Sequence, residues 1–301
     1  MIRTLLAAMM MAPLAACATA SERAPVVAAA PAFASERIGV TVRGSGPDVV
    51  LIPGLSSSPA VWDSTIAALP GYRYHVIHVS GFAGRAPGAN ASGPVVAPVA
   101  DEIARYIREA RLERPAIVGH SLGGTWAMLV AARHPDLVSR AMVVDMFPSL
   151  GAMFGGPDAT PEMLRTAADR VRQGIAASTG DARRAQIERT IAGMVRTEAL
   201  RPRAVTDSLE SDPNVSGQAM HDLIMTDLRP ELRNISVPLT VLWVRAPNAP
   251  ISEEQMAGFY AMSYANAPQA RIVRIPNAYH FIMWDEPEAF QRELRAFLAA
   301  R

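Results

Sequence analysis

From Ile38 onward, short continuous apolar runs alternate with segments whose apolar residues recur at helical spacing. Ile38 to Val42 alternates in character, Gly44-Ser45-Gly46-Pro47 marks a turn, and Val49 to Ile52 is uniformly apolar. The pattern predicts a helix around Pro59–Leu69 and a strand over Tyr74–Val79. A second helix is predicted over about Val95–Ala110, where Ile103, Ile107 and Ala110 share a face. Ala116–Val118 then reads as strand, Leu122–Arg133 as helix and Ala141–Val144 as strand. Strands that are apolar on both faces and separated by helices imply a parallel sheet covered on both sides.

The alternation stops between Leu150 and Asn234. Met163, Ile175, Ile187, Ile191, Met194 and Leu200 lie there among many charges, and the stretch is too long for a connection. An inserted helical cap at about 150–234 is the simplest expectation. Arg165, Arg170, Arg172, Arg183, Arg184 and Arg189 are expected to form its solvated face. Met146, Met153, Phe154, Met163, Met194, Met220 and Met225 fit either an apolar pocket beneath the cap or ordinary helix packing. Strands return at Leu239–Val244 and Arg271–Ile275, and a helix over about Pro287–Ala299 closes the pattern.

Composition adds the N-terminal context. The chain has 301 residues, half of them hydrophobic. That predicts one domain of about 250 residues plus an appendage. The 29 basic and 28 acidic residues leave a net charge of +1 and are interspersed. Without a basic run interleaved with aromatics, a nucleic-acid partner has no electrostatic support. Arg3 is the only charge before Glu22, and the apolar stretch Leu5–Ala16 runs into Leu14-Ala15-Ala16-Cys17. A basic start, a short apolar core and small residues at its end describe a secretory signal. The last four residues also resemble the bacterial lipoprotein box, in which Cys17 is lipidated and becomes the mature N-terminus. Two other readings stay open: cleavage after Ala18-Thr19-Ala20, or retention of Thr4–Ser21 as an anchor, which is marginal for a bilayer and contains Pro13. Cys17 is the only cysteine, so no internal disulfide forms, and a lone thiol inside a signal fits lipidation better than catalysis. The expected organisation is a signal segment at 1–17, an Ala/Pro-rich tether at 18–35 and a folded domain at 36–301. The expected location is outside the cytoplasm, on a membrane through the lipid alone, facing the periplasm or the exterior. A soluble secreted form is the alternative.

Gly119-His120-Ser121-Leu122-Gly123 sets a serine between a predicted strand and a predicted helix. A sharp turn there lifts the hydroxyl clear of the sheet, and small flanking residues let helix and strand approach. The pattern G-x-S-x-G alone arises by chance on the order of once in ten chains of this length. Its strand-before, helix-after context is what makes Ser121 a nucleophile candidate. Serine needs a base to take its proton. His280 lies just after the last predicted strand, in the chain order expected of such a base. His75 and His78 flank an early strand, His134 closes a helix and His221 lies in the cap. His120 is expected to point away from the nucleophile. Two backbone N–H groups would hold the oxyanion: Leu122, directly after the nucleophile, and Leu55 in the loop after Val49–Ile52. Pro53 cannot donate there and Gly54 lets the loop bend.

With Ile52-Pro53-Gly54-Leu55, Ser80-Gly81-Phe82-Ala83-Gly84, Gly119-His120-Ser121-Leu122-Gly123-Gly124, Arg133-His134-Pro135 and Asn277-Ala278-Tyr279-His280-Phe281, the chain resembles the α/β-hydrolase family. The resemblance runs from about residue 36 to the C-terminus and is closest to the single-domain, capped, esterase-like branch. It implies an α/β fold with a mostly parallel central sheet, helices on both faces and serine chemistry, but no particular substrate. A Ser at position 121, where dehalogenases and epoxide hydrolases of the family carry Asp, argues against those reactions.

One departure concerns the third catalytic group. Family members usually carry an acid just after the strand written here Leu239–Val244, yet Trp243-Val244-Arg245-Ala246-Pro247-Asn248-Ala249-Pro250 holds no carboxylate. Asp145, at the end of the preceding sheet strand, could supply it. Alternatively Asn248 orients His280 as a neutral partner, or activity is lost. An ionised carboxylate fixes the imidazole tautomer and stabilises the imidazolium. A charged Asp at the end of an apolar strand also needs a partner, which His280 would supply. These arguments favour Asp145. Asp285 is expected to cap the final helix.

No metal-ligand cluster and no phosphate-binding glycine loop accompanies these residues, so no cofactor or metal is implied. The leading expectation is an exported carboxylic-ester hydrolase using Ser121, His280 and Asp145 through an acyl-enzyme, on small or medium apolar esters. Other acyl chemistry on the same groups (C–C bond, lactone or amide hydrolysis, acyl transfer) and a non-catalytic binding lipoprotein are the alternatives.

Overall fold

A computed structural model describes residues 33–151, 160–245 and 249–299. The signal segment, Cys17 and most of the tether lie outside the described residues, as do Met153, Phe154 and Asn248. The packed structure reaches back to Phe33, somewhat earlier than the expected start at residue 36. The Phe33 ring meets Tyr106 edge-on at 5.0 Å and carries the Arg105 guanidinium over its face.

The strands are β1 (Ile38–Gly44), β2 (Asp48–Ile52), β3 (Arg73–Val79), β4 (Ala116–His120), β5 (Arg140–Val144), β6 (Leu239–Trp243) and β7 (Arg271–Arg274). They form one sheet in the order β1-β3-β2-β4-β5-β6-β7. β1 pairs antiparallel with β3, and every other pair is parallel. Four helices between the strands, α1 (Asp63–Ala68), α2 (Val96–Glu109), α3 (Leu122–Arg133) and a later one, α8 (Glu253–Ser263), supply crossovers, and α10 (Pro287–Ala299) follows the short α9 (Ile282–Asp285).

Alternation along β2 shows why both faces are covered. Val50 and Ile52 join the core with α2, α3 and α8. Val49 and Leu51 join the opposite one with Trp62, Leu69, Phe290 and Leu294. Successive side chains of a strand point to opposite faces, so an all-apolar strand demands cover on each. α3 is buried from Leu122 to Ala132, which is why its sequence carries no polar stripe.

Between β5 and β6 the chain forms α4 (Pro161–Ala177), α5 (Gly180–Met194), α6 (Arg201–Glu210) and α7 (Pro213–Met225). Thr160 caps α4 by accepting from the Met163 amide, and Asp212 caps α7 by accepting from Asn214 and Val215. The insert is tied to the sheet domain through both cores: Val215, Ala219 and Leu223 enter one, Ile191, Val195 and Ala204 the other. Met163, by contrast, faces solvent. Among the described residues no helix is long and apolar enough to cross a membrane.

Candidate active site

β4 ends at His120, and Ser121 turns with φ 52° and ψ −124° before α3 begins. That backbone strain is typical of functional positions and holds only where the surroundings fix it. Here they do. The Ser121 amide donates to the Val144 carbonyl at 2.9 Å, and Gly124 and Thr125 donate back to the Ser121 carbonyl. Gly119 and Gly123 are required by close approach: a Cβ on the first would overlap the Gly123 carbonyl, and one on the second the Ile52 carbonyl.

Asp145 ends β5 in the same way, with φ 53°, and its amide donates to Leu242 at 2.8 Å. Its Oδ2 lies 2.6 Å from His280 Nδ1. Its Oδ1 accepts from the Val244 amide at 3.2 Å and from the Tyr260 hydroxyl at 3.0 Å. Tyr260 is a residue that sequence reasoning missed. It is stacked between Phe147 at 4.1 Å and Trp243 at 5.1 Å. Burial, with the Asp145 charge beside it, pushes its hydroxyl well above the usual range, so it stays a donor. Every oxygen of the carboxylate is therefore engaged, as a part-buried charge requires.

In the tautomer that donates its Nδ1 proton to Asp145, the His280 imidazole leaves the Nε2 lone pair free. Ser121 and His280 line the same cavity. The Ser121 hydroxyl has no hydrogen bond among the described residues, a common state before substrate binds. His280 is held from behind by His120, whose ring packs at 4.7 Å and whose Nε2 donates to the His280 carbonyl at 3.0 Å. His120 thus turns away from the nucleophile, as expected, but toward the base. Burial, then the neighbouring His280, pushes it well below the ordinary value, so it is neutral and can donate only through Nε2. Its Nδ1 is buried with no partner among the described residues.

Gly54 to Ser57 form a turn closed by the Ser57 amide on the Gly54 carbonyl at 3.3 Å, with Ser56 at φ 54° in its third position. The Leu55 and Leu122 amides, the two expected oxyanion donors, have no partner among the described residues. Gly54 earns its place through proximity rather than bending: a Cβ there would press on Ser121 and on His120 Nδ1. The insert braces this loop. Ser56 Oγ meets Ser216 Oγ at 2.8 Å, and Asp207 accepts from both the amide and the hydroxyl of Ser58.

Asp285 does not cap the final helix. Its buried carboxylate accepts from the amides of Arg196, Thr197 and Tyr279 at 2.8–3.0 Å. It therefore ties the connection between α5 and α6, in the middle of the insert, to the segment that presents His280. The surrounding cavity has a volume of about 580 Å³. Leu55, Phe147, Ile187, Met194, Met220 and Phe281 give it an apolar wall. Arg183, expected on the solvated face, lines it too. Among the described residues no group of three His, Cys, Asp or Glu could hold a metal.

The profile of the alpha/beta hydrolase family matches residues 49–293. The chain is 27% identical over 261 residues to a pimeloyl-[acyl-carrier protein] methyl ester esterase from Pectobacterium carotovorum, covering 84% of this chain and 94% of that protein. Among solved structures, an esterase from Exiguobacterium antarcticum superposes with TM-score 0.71 at 21% identity, over 87% of this chain and 96% of the other. The enol-lactonase from Burkholderia xenovorans gives 0.69 at 18%, over 87% and 96%. The chain belongs to the alpha/beta hydrolase family. Within it, this is a serine hydrolase of the esterase-like branch.

Proposed function

We propose that the protein is an exported carboxylic-ester hydrolase acting through Ser121, His280 and Asp145. The observation that carries this reading is the 2.6 Å contact between Asp145 Oδ2 and His280 Nδ1, in the cavity that also holds Ser121. Ser121 attacks the acyl carbonyl while His280 Nε2 takes its proton. The Leu55 and Leu122 amides receive the developing oxyanion, in a site where each such donor lowers the barrier by about 3 kcal/mol. His280 then protonates the leaving alcohol, and water, activated by the same imidazole, releases the acid from Ser121. Asp145 stays ionised throughout and orients the ring.

The insert acts as a cap whose apolar wall receives a small or medium acyl chain. The methyl ester esterase and the enol-lactonase that this chain resembles both act by attack on an acyl carbonyl, which supports the reaction class. The N-terminal segment directs export, with Cys17 as the lipidated residue. A fluorophosphonate probe should label the wild type and not Ser121→Ala, and p-nitrophenyl esters of graded chain length should then be hydrolysed. No labelling of the wild type would leave a binding lipoprotein as the better reading.

A further inference from the structure

Arg183 is, among the described residues, the one formally charged side chain on the cavity wall besides Asp145 and the histidines. Its position follows from α5, whose residues 183, 186, 187, 190, 191 and 194 line the cavity at helical spacing. Chemistry changes along that face. Met194, Ile191 and Ile187 are apolar, whereas Gln186 and Arg183 are polar. The Met194 end lies at the catalytic group, because the Met194 carbonyl accepts from the amide of Phe281, next to His280. At 1.5 Å per residue, Arg183 stands about 16 Å further along the helix axis.

The guanidinium is held in place. Its Nη2 donates to the carbonyls of Ser208 at 3.1 Å and Ser211 at 2.7 Å. No carboxylate lies within ion-pair distance of it among the described residues, and Nε and Nη1 have no partner there. A fork fixed on one side, with donors left over on a cavity wall, suits a planar anion. Ser208 lines the same end and adds a hydroxyl, whereas the Ser178 hydroxyl there already donates to the Ile175 carbonyl at 2.9 Å.

We propose that this end of the cavity binds a carboxylate, so that the preferred substrates are esters whose acyl chain ends in a carboxylate. The inference rests on the ester-hydrolase reading above: the apolar stretch of α5 takes the methylenes, and Arg183 takes the distal charge. Arg183 thereby selects among substrates and takes no part in the bond-breaking step. A clamp on the end of α6 would be the competing role, and it would act alike on every substrate.

The test compares mono-p-nitrophenyl esters of adipic, suberic and sebacic acid with p-nitrophenyl alkanoates of the same chain length, on the full chain. The wild type should show a kcat/KM about tenfold higher for the carboxylate-ended ester at its best length, mainly through KM, the size of effect expected for one hydrogen-bonded charge. Raising the salt concentration should shrink that ratio. Arg183→Met should abolish the ratio by lowering kcat/KM for the carboxylate-ended ester about tenfold more than for its neutral partner, and Arg183→Lys should keep part of it. Equal rates for the paired esters in the wild type, or an equal loss on both in Arg183→Met and Arg183→Lys, would overturn the proposal. Should neither ester of a pair be hydrolysed, the ester-hydrolase reading itself fails, and this one with it.

Discussion

Asp145 meets the imidazole of His280 at 2.6 Å from the end of β5, one strand earlier than the family's usual acid position. The relationship carries a sharp expectation. Asp145→Asn keeps the shape of the site but can no longer fix the Nδ1–H tautomer or balance an imidazolium. The kcat should fall by about 10³–10⁴ with little change in KM. Asn248→Ala should leave it unchanged. Circular dichroism on both variants checks that the fold persists, and a fully active Asp145→Asn would sink the assignment.

Tyr260→Phe isolates one of the donors on that carboxylate. The ring is kept between Phe147 and Trp243, and only the 3.0 Å contact to Asp145 Oδ1 is lost. The expected loss in stability is about 1–3 kcal/mol, because a charged acceptor is left short of a partner. Activity should fall as well, through a less firmly held His280. A variant as stable and as active as the wild type would show that the Val244 amide alone suffices.

Much of this site was legible before the fold was. Ser121 stood out because a strained turn between strand and helix leaves a local imprint, small residues around a serine. Asp145 stood out because a charge at the end of an apolar strand demands a partner. Tyr260, His120 and Arg183 carried no such imprint. Tyr260 reaches Asp145 across 115 positions of sequence, and nothing local distinguishes a stacked core tyrosine from a donor. Arg183 sits in a helix of mixed charge whose face is decided only by docking against the sheet domain. Asp285 misled because an acid before Pro287 has the composition of a helix cap, whereas its three real partners come from two other segments.

Asp285 consequently gives a stability prediction. Replacing it with Ala strands three backbone N–H groups at a buried position. The cost should be about 3–5 kcal/mol, lowering the Tm of a domain this size by roughly 6–20 °C. Asp285→Asn, which retains an acceptor oxygen, should lose less. Thermal melts of the two variants beside wild type decide it, and equal melts would mean that the contacts contribute little.

Cys17 provides a test of export that is independent of catalysis. Expressed as the full chain in a bacterial host, the wild type should incorporate labelled fatty acid and sediment with membranes. Cys17→Ser should do neither, while its ester hydrolysis per molecule stays the same. Membrane association that survives the substitution would instead favour the retained Thr4–Ser21 anchor.

The pH dependence of stability should have two separate windows, with signs fixed by the direction of each shift. Burial pushes His120 well below its ordinary value of 6.5, and burial also lowers the half-buried His78 and the His75 ring, the last despite its contact with Asp48. Unfolded, these rings take up protons near 6.5; folded, they resist until a lower pH. Their contribution is therefore complete above 6.5 and is lost as the pH falls below it, each ring adding up to about 1.4 kcal/mol per pH unit. Asp48 and Asp63, lowered by Arg73 and by Arg43 and Arg203 against the opposing effect of burial, act further down: their contribution holds above 3.8 and disappears as the pH falls through their folded values. Denaturant titrations from about pH 8 to about pH 5 should show stability declining with acid well before the carboxylates titrate. In His120→Gln the starting stability should be lower, since the contact to the His280 carbonyl is weakened, but the slope should be shallower by one ring. A variant with the wild-type slope would show that His120 is protonated as readily in the folded chain as in the unfolded one.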